Sequence, residues 1–108
     1  MVVDLEGRLI YGAECDALRV RVKDLLAAGE KRILINLAEV PNVDSGGIGT
    51  LVALFTSAKS AGGELKLENA NDKVHHSLDL TRILTVIKHF KEERKALASF
   101  QGAVKTTA

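Results

Sequence analysis

The strongest hydrophobic pattern in the chain runs from Ile48 to Ala58. Ile48, Leu51, Val52, Phe55 and Ala58 recur at helical spacing, the stripe that a helix buries against a core. The spacing predicts a helix over residues 47–61, halted at Gly62-Gly63. Leu18, Val22, Leu25 and Leu26 predict another over residues 14–28, with Gly29 as its stop. Residues 2–5 are apolar and β-branched, and read as a strand. Ile33, Leu34, Ile35 and Leu37, interrupted only by Asn36, read as a strand buried on both faces. Leu65 and Leu67 alternate with Glu64, Lys66 and Glu68, which predicts a half-exposed strand. Further on, Asn71 or Asp72 can cap a short helix that turns Val74 and Leu78 inward. Thr85-Val86-Ile87 reads as a last strand. Residues 92–100 read as a terminal helix with acids in its first turn, where the helix dipole favours them.

Strands alternating with helices predict an α/β fold with a parallel or mostly parallel sheet and right-handed crossovers. The connection before the main helix reads Asp44-Ser45-Gly46-Gly47-Ile48-Gly49-Thr50. Asp44 and Ser45 are both good helix N-caps. The glycines allow a tight turn and close backbone approach. Pro41 lies just ahead, where a missing N–H costs little. Ser45 is therefore predicted at a strand-to-helix turn, with its hydroxyl near a helix N-terminus that accommodates a phosphate.

This turn resembles the phosphoacceptor turn of the bacterial anti-sigma factor antagonists, which are STAS domains. The family pattern is Asp-Ser, a small residue, then Gly, an apolar residue and Gly, and residues 44–49 match it. Leu5-Glu6-Gly7-Arg8-Leu9 resembles the family's early strand and turn. Ala61-Gly62-Gly63-Glu64-Leu65-Lys66-Leu67 resembles the turn and strand after the signature helix. Leu78-Asp79-Leu80-Thr81 and Glu92-Glu93-Arg94-Lys95-Ala96-Leu97 fit its C-terminal part.

The resemblance implies the STAS fold, a small mostly parallel sheet with helices packed as a βα superhelix, over residues 1–100. Residues 101–108 are expected to fray as a tail. The family usually has another strand before the one at Val2, so either that strand is missing or the native N-terminus is longer. An uncovered edge there would invite a homodimer. The resemblance also implies a switch rather than an enzyme. The unphosphorylated protein binds an anti-sigma factor that is itself a serine kinase, and a sigma factor is released. The kinase, holding its own ATP and magnesium, phosphorylates Ser45 and ends the complex; a serine phosphatase resets it. No cofactor of the chain's own is implied. The docking surface implied is Asp44, Ser45, Gly46, Gly47, Gly49, Thr50, Ala53 and Ser57. Asp44 reads either as a cap or as a charge that helps position the kinase's metal and phosphate. The alternative within the family is a non-phosphorylated scaffold or assembly module, in a stress-signalling or lipid-transport complex.

Composition removes several other classes. The chain has 108 residues, 46% hydrophobic and 27% charged, as in an ordinary globular domain with one core. No apolar run approaches the roughly 20 residues of a membrane span, and no signal segment leads the chain. A net charge of +1 leaves no nucleic-acid footprint. The single Cys15 cannot form an internal disulfide, which suits the cytoplasm, and it reads as a buried, inert thiol.

Asp44-Ser45-Gly46-Gly47 also resembles the nucleophile segment of chymotrypsin-like proteases. Val43 replaces the glycine expected there, and all three histidines follow the serine instead of preceding it. A phosphate-binding P-loop needs a lysine that the turn lacks. His75 and His76 are adjacent, so they point to different sides of a helix and do not form a metal pair. Lys88, Lys91, Arg94 and Lys95, interleaved with Glu92 and Glu93, read as a solvated face.

Overall fold

The computed structural model describes residues 2–7 and 12–105. Strands and helices alternate: β1 (Val2–Glu6), α1 (Ala13–Ala27), β2 (Arg32–Glu39), α2 (Ser45–Ser60), β3 (Glu64–Glu68), α3 (Asp72–Leu80), β4 (His89–Phe90) and α4 (Glu93–Lys105), with a 3-10 turn at Ile83–Thr85. The described strands form one sheet in the order β1-β2-β3-β4, with every pairing parallel. The expected α/β architecture is present. The turn around Leu9-Ile10-Tyr11 lies outside the described residues. Among the described residues, no helix is long and apolar enough to cross a membrane.

Register sorts the side chains into two layers. Val3, Ile35 and Leu67 pair in one row, and Ile33 pairs with Leu65. They face α1, α2 and α3, whose Leu18, Val22, Leu51, Leu54, Ala58, Val74 and Leu78 complete the larger core. Leu34 turns the other way, onto Ala96 and Phe100 of α4, with Val2 and Phe90 beside it. β2 is thus buried on both faces, as its sequence predicts.

Three expectations need correction. First, β3 is not half-exposed. Lys66 and Glu68 are buried, because α4 covers the face to which the alternation sends them. The Lys66 ammonium donates to Ser99 Oγ at 2.7 Å and lies 4.3 Å from the centroid of the Phe100 ring. Burial, the largest influence on it, lowers its pKa despite the nearby Glu64 carboxylate. Glu68 has both carboxyl oxygens without a hydrogen-bond partner among the described residues. Second, Thr85-Val86-Ile87 is not a strand. Ile83 and Ile87 are both buried, and the Ile87 N–H donates to the Ile83 carbonyl. Their four-residue spacing belongs to a helical turn, which leaves Val86 exposed; His89–Phe90 pairs with β3 instead.

Third, α2 buries a different face. Val52 is 45% exposed, and Ile48 and Phe55 are only half-buried, whereas Thr50 and Leu54 are fully enclosed. The buried stripe is Gly47, Thr50, Leu51, Leu54 and Ala58. Thr50 tolerates burial because its hydroxyl donates to the Gly46 carbonyl at 2.9 Å, so no polar group is left unpaired. At the helix's far end, α4 aside, the chain returns to the sheet through Gly63. A Cβ at Gly63 would lie 2.5 Å from the Lys31 carbonyl oxygen, whose partner is the Glu64 N–H. Backbone cannot give way cheaply there. Gly63→Ala is expected to destabilise the fold by about 1–3 kcal/mol, read as a lower urea midpoint; an unchanged midpoint would show that the β2–β3 start can spread.

Candidate functional site

The sequence from Val40 to Thr50 builds a fixed turn at the carboxyl end of β2. Asp44 has extended backbone angles and caps α2: its carboxylate accepts from the Gly47 N–H at 2.9 Å. Ser45 follows as the first helical residue and is exposed. Among the described residues its hydroxyl has no hydrogen-bond partner. It stands open to an incoming phosphoryl group beside the N–H groups of the first helical turn.

Two distant side chains hold the turn. Asn71 caps α3 by accepting from the Val74 N–H at 2.8 Å. Its amide nitrogen donates to the Val40 carbonyl at 3.2 Å and reaches the Pro41 carbonyl at 3.5 Å. One side chain thus starts α3 and ties down the approach to Ser45. From α1, Arg19 Nη2 donates to Thr50 Oγ1 at 3.3 Å, and Thr50 passes the link to Gly46. Arg19 also lies 3.9 Å from the Asp16 carboxylate, an exposed pair of little energetic weight.

The expected surface residues divide accordingly. Asp44, Ser45, Gly49 and Ala53 are exposed, Gly46 and Ser57 are half-buried, and Gly47 and Thr50 are buried. Thr50 cannot contact a partner with its enclosed side chain; it supports the turn from beneath. Space around Gly49 is open. Val52, assigned to the core by its hydrophobicity, instead stands on the exposed side between Gly49 and Ala53. Among the described residues, no group of three histidine, cysteine, aspartate or glutamate side chains could hold a metal.

The model for the STAS domain matches residues 1–96. The chain belongs to the STAS domain family. The anti-sigma-B factor antagonist of Bacillus subtilis (strain 168) is 33% identical to it over 86 residues, 79% of this chain and 76% of the relative. This STAS domain also superposes on a solved Thermotoga maritima protein described as a candidate anti-sigma factor antagonist. There the TM-score is 0.81 and the identity 28%, over 91% of this chain and 86% of that one. The STAS domain of a SulP transporter from Vibrio cholerae has the same fold, with a TM-score of 0.78 at 20% identity, over 97% of this chain and 83% of that one. The fold expected from the Asp-Ser turn is therefore present, and the chain groups with the anti-sigma factor antagonists by sequence.

Proposed function

We propose that this STAS domain is a partner-switching anti-sigma factor antagonist acting in the cytoplasm. Unphosphorylated, it docks an anti-sigma factor serine kinase through Asp44, Ser45, Gly46, Gly49, Val52, Ala53 and Ser57. Phosphorylation of Ser45 ends that complex, and a serine phosphatase restores it. The observation that carries this reading is Ser45 itself: exposed, first in α2, on a turn capped by Asp44 and anchored by Asn71.

A phosphate on Ser45 adds about −1.5 to −2 charges at pH 7. The N-terminus of a helix accepts that charge, so the modified domain stays folded. The effect falls on the partner, where a poorly paired anion would have to be buried at a close interface. The test is intact-mass spectrometry of the protein incubated with its candidate kinase and ATP. Wild type is expected to gain one phosphoryl group, and Ser45→Ala none. Ser45→Asp should bind the kinase at least about tenfold more weakly with its melting temperature held within a few degrees. Transfer to Ser45→Ala at the wild-type rate would place the acceptor elsewhere and overturn the proposal.

A further inference from the structure

A crevice opens where the carboxyl ends of β2, β3 and β4 meet the start of α3. In this domain the crevice is built by three strand ends and one helix. Ala38 comes from the end of β2, Asn69 and Ala70 follow β3, His89 belongs to β4, and Lys91 follows it. Asp72 and His75, from the first turns of α3, complete a cavity of about 500 Å³, within the range of small-molecule pockets. Its floor is fixed. Asn69 holds a left-handed backbone at φ 60, and its amide donates to Asn36 Oδ1 at 3.2 Å. The Ala70 N–H donates to His89 Nε2 at 3.0 Å. That bond makes Nε2 an acceptor, so the neutral ring carries its proton on Nδ1. His75 meets His89 edge-on, with ring centroids 5.1 Å apart.

We propose that this cavity binds the phosphate or carboxylate group of a small molecule, held by Lys91, His75 and the Nδ1–H of His89. Three hydrogen-bond donors of neutral or positive charge line one small space, and the His89 ring is already fixed to offer one of them. Burial first, then the neighbouring His75 and Lys91, lower the pKa of His89. The ring is thus kept a neutral donor, and an oxyanion offsets the crowding of positive groups around it. Among the described residues, Asp72 is the one acid in the lining. Its carboxylate can accept a hydrogen bond from a hydroxyl or amine of the molecule whose anionic group the three donors hold. The cavity differs from the Ser45 turn in residues and chemistry, and the inference does not depend on phosphorylation there.

The test is an NMR titration of the full chain at constant ionic strength, following the two imidazole rings. Inorganic phosphate is the probe in one arm and acetate in the other. At least one probe is expected to shift both His75 and His89 saturably; the tighter probe identifies which anion class the site takes. Lys91→Gln and His75→Gln, both at accessible positions, should each weaken that binding by about tenfold. Lys88→Gln removes the same charge beside a different cavity, lined by Phe55, Lys59 and Val86, and should leave the affinity unchanged. Non-saturating shifts with both probes would overturn the proposal. So would a loss in Lys88→Gln equal to that in Lys91→Gln, because the effect would then be general surface charge.

Discussion

Leu54→Ala is expected to lower stability by about 2–5 kcal/mol, whereas Val52→Ala, two residues away, should change it by no more than about 0.5 kcal/mol. Leu54 is fully enclosed between α2 and the sheet, in the same cluster as Ile33, Ile35 and Leu67. Truncating it removes apolar contact and leaves a hole that close-packed neighbours fill only in part. Val52 is 45% exposed and loses little. Urea midpoints at constant slope decide the matter. Equal midpoints for the two variants would mean that α2 is rotated from the orientation described. The pair also separates fold from function: Val52→Ala keeps the fold but alters the surface beside Gly49 and Ala53, so any loss of kinase binding in it reports on docking.

The second large effect is a dependence of stability on pH that originates at Glu68. Across the sheet on the α4 side, Asp4 pairs in register with Asn36, and Asn36 with Glu68. The Asn36 amide donates to Asp4 Oδ1 at 2.7 Å, but Glu68 has no comparable donor. Burial first, then the neighbouring Glu93 carboxyl and the charge of Asp4, raise the pKa of Glu68 from 4.5 to about 7. The folded protein therefore holds a proton that the unfolded chain releases near 4.5. Stability from this group is fully present below that value and is lost as pH rises to about 7. The loss is on the order of 2–3 kcal/mol. Glu68→Gln, which keeps the shape and cannot ionise, is expected to melt higher than wild type at pH 8 and to flatten the decline between pH 5 and 7. His89, whose pKa is lowered, acts in the opposite sense: it costs stability as pH falls below its ordinary 6.5, and that slope should survive in the variant. A difference in melting temperature between wild type and Glu68→Gln that does not change between pH 5 and 7 would remove the buried acid from the account.

These two predictions mark where sequence patterns sufficed and where they did not. The turn at Ser45 was legible because its logic is local: a cap, a serine and glycines within six positions. β2 was legible because an apolar run that long needs cover on both faces. In α2 hydrophobicity alone points to the wrong face. Val52 counts as apolar wherever it points, and Thr50 counts as polar even though a backbone carbonyl satisfies its hydroxyl. In β3, strict alternation looks the same whether the polar face meets water or a helix; only the position of α4 distinguishes them. Asn71 and Arg19 carried no signal as supports of the turn. Each acts on residues 31 positions away in the chain, a distance at which spacing rules are silent. The Ile83–Ile87 turn could have been found, since two buried isoleucines four apart follow the helical period.

The order of the strands across the sheet, β1-β2-β3-β4, is also their order of synthesis. Each strand, as it leaves the ribosome, finds its neighbour already made and never has to hold a gap for a later one. The larger core can close once the Ile83–Ile87 turn has emerged, while α4 is still being translated. Until that helix arrives, Leu34, Lys66 and Glu68 face water, where the two charged side chains are at ease and only the leucine is a hazard. Polar residues on the face that is covered last keep a half-made chain soluble during elongation, in exchange for a less stable finished protein.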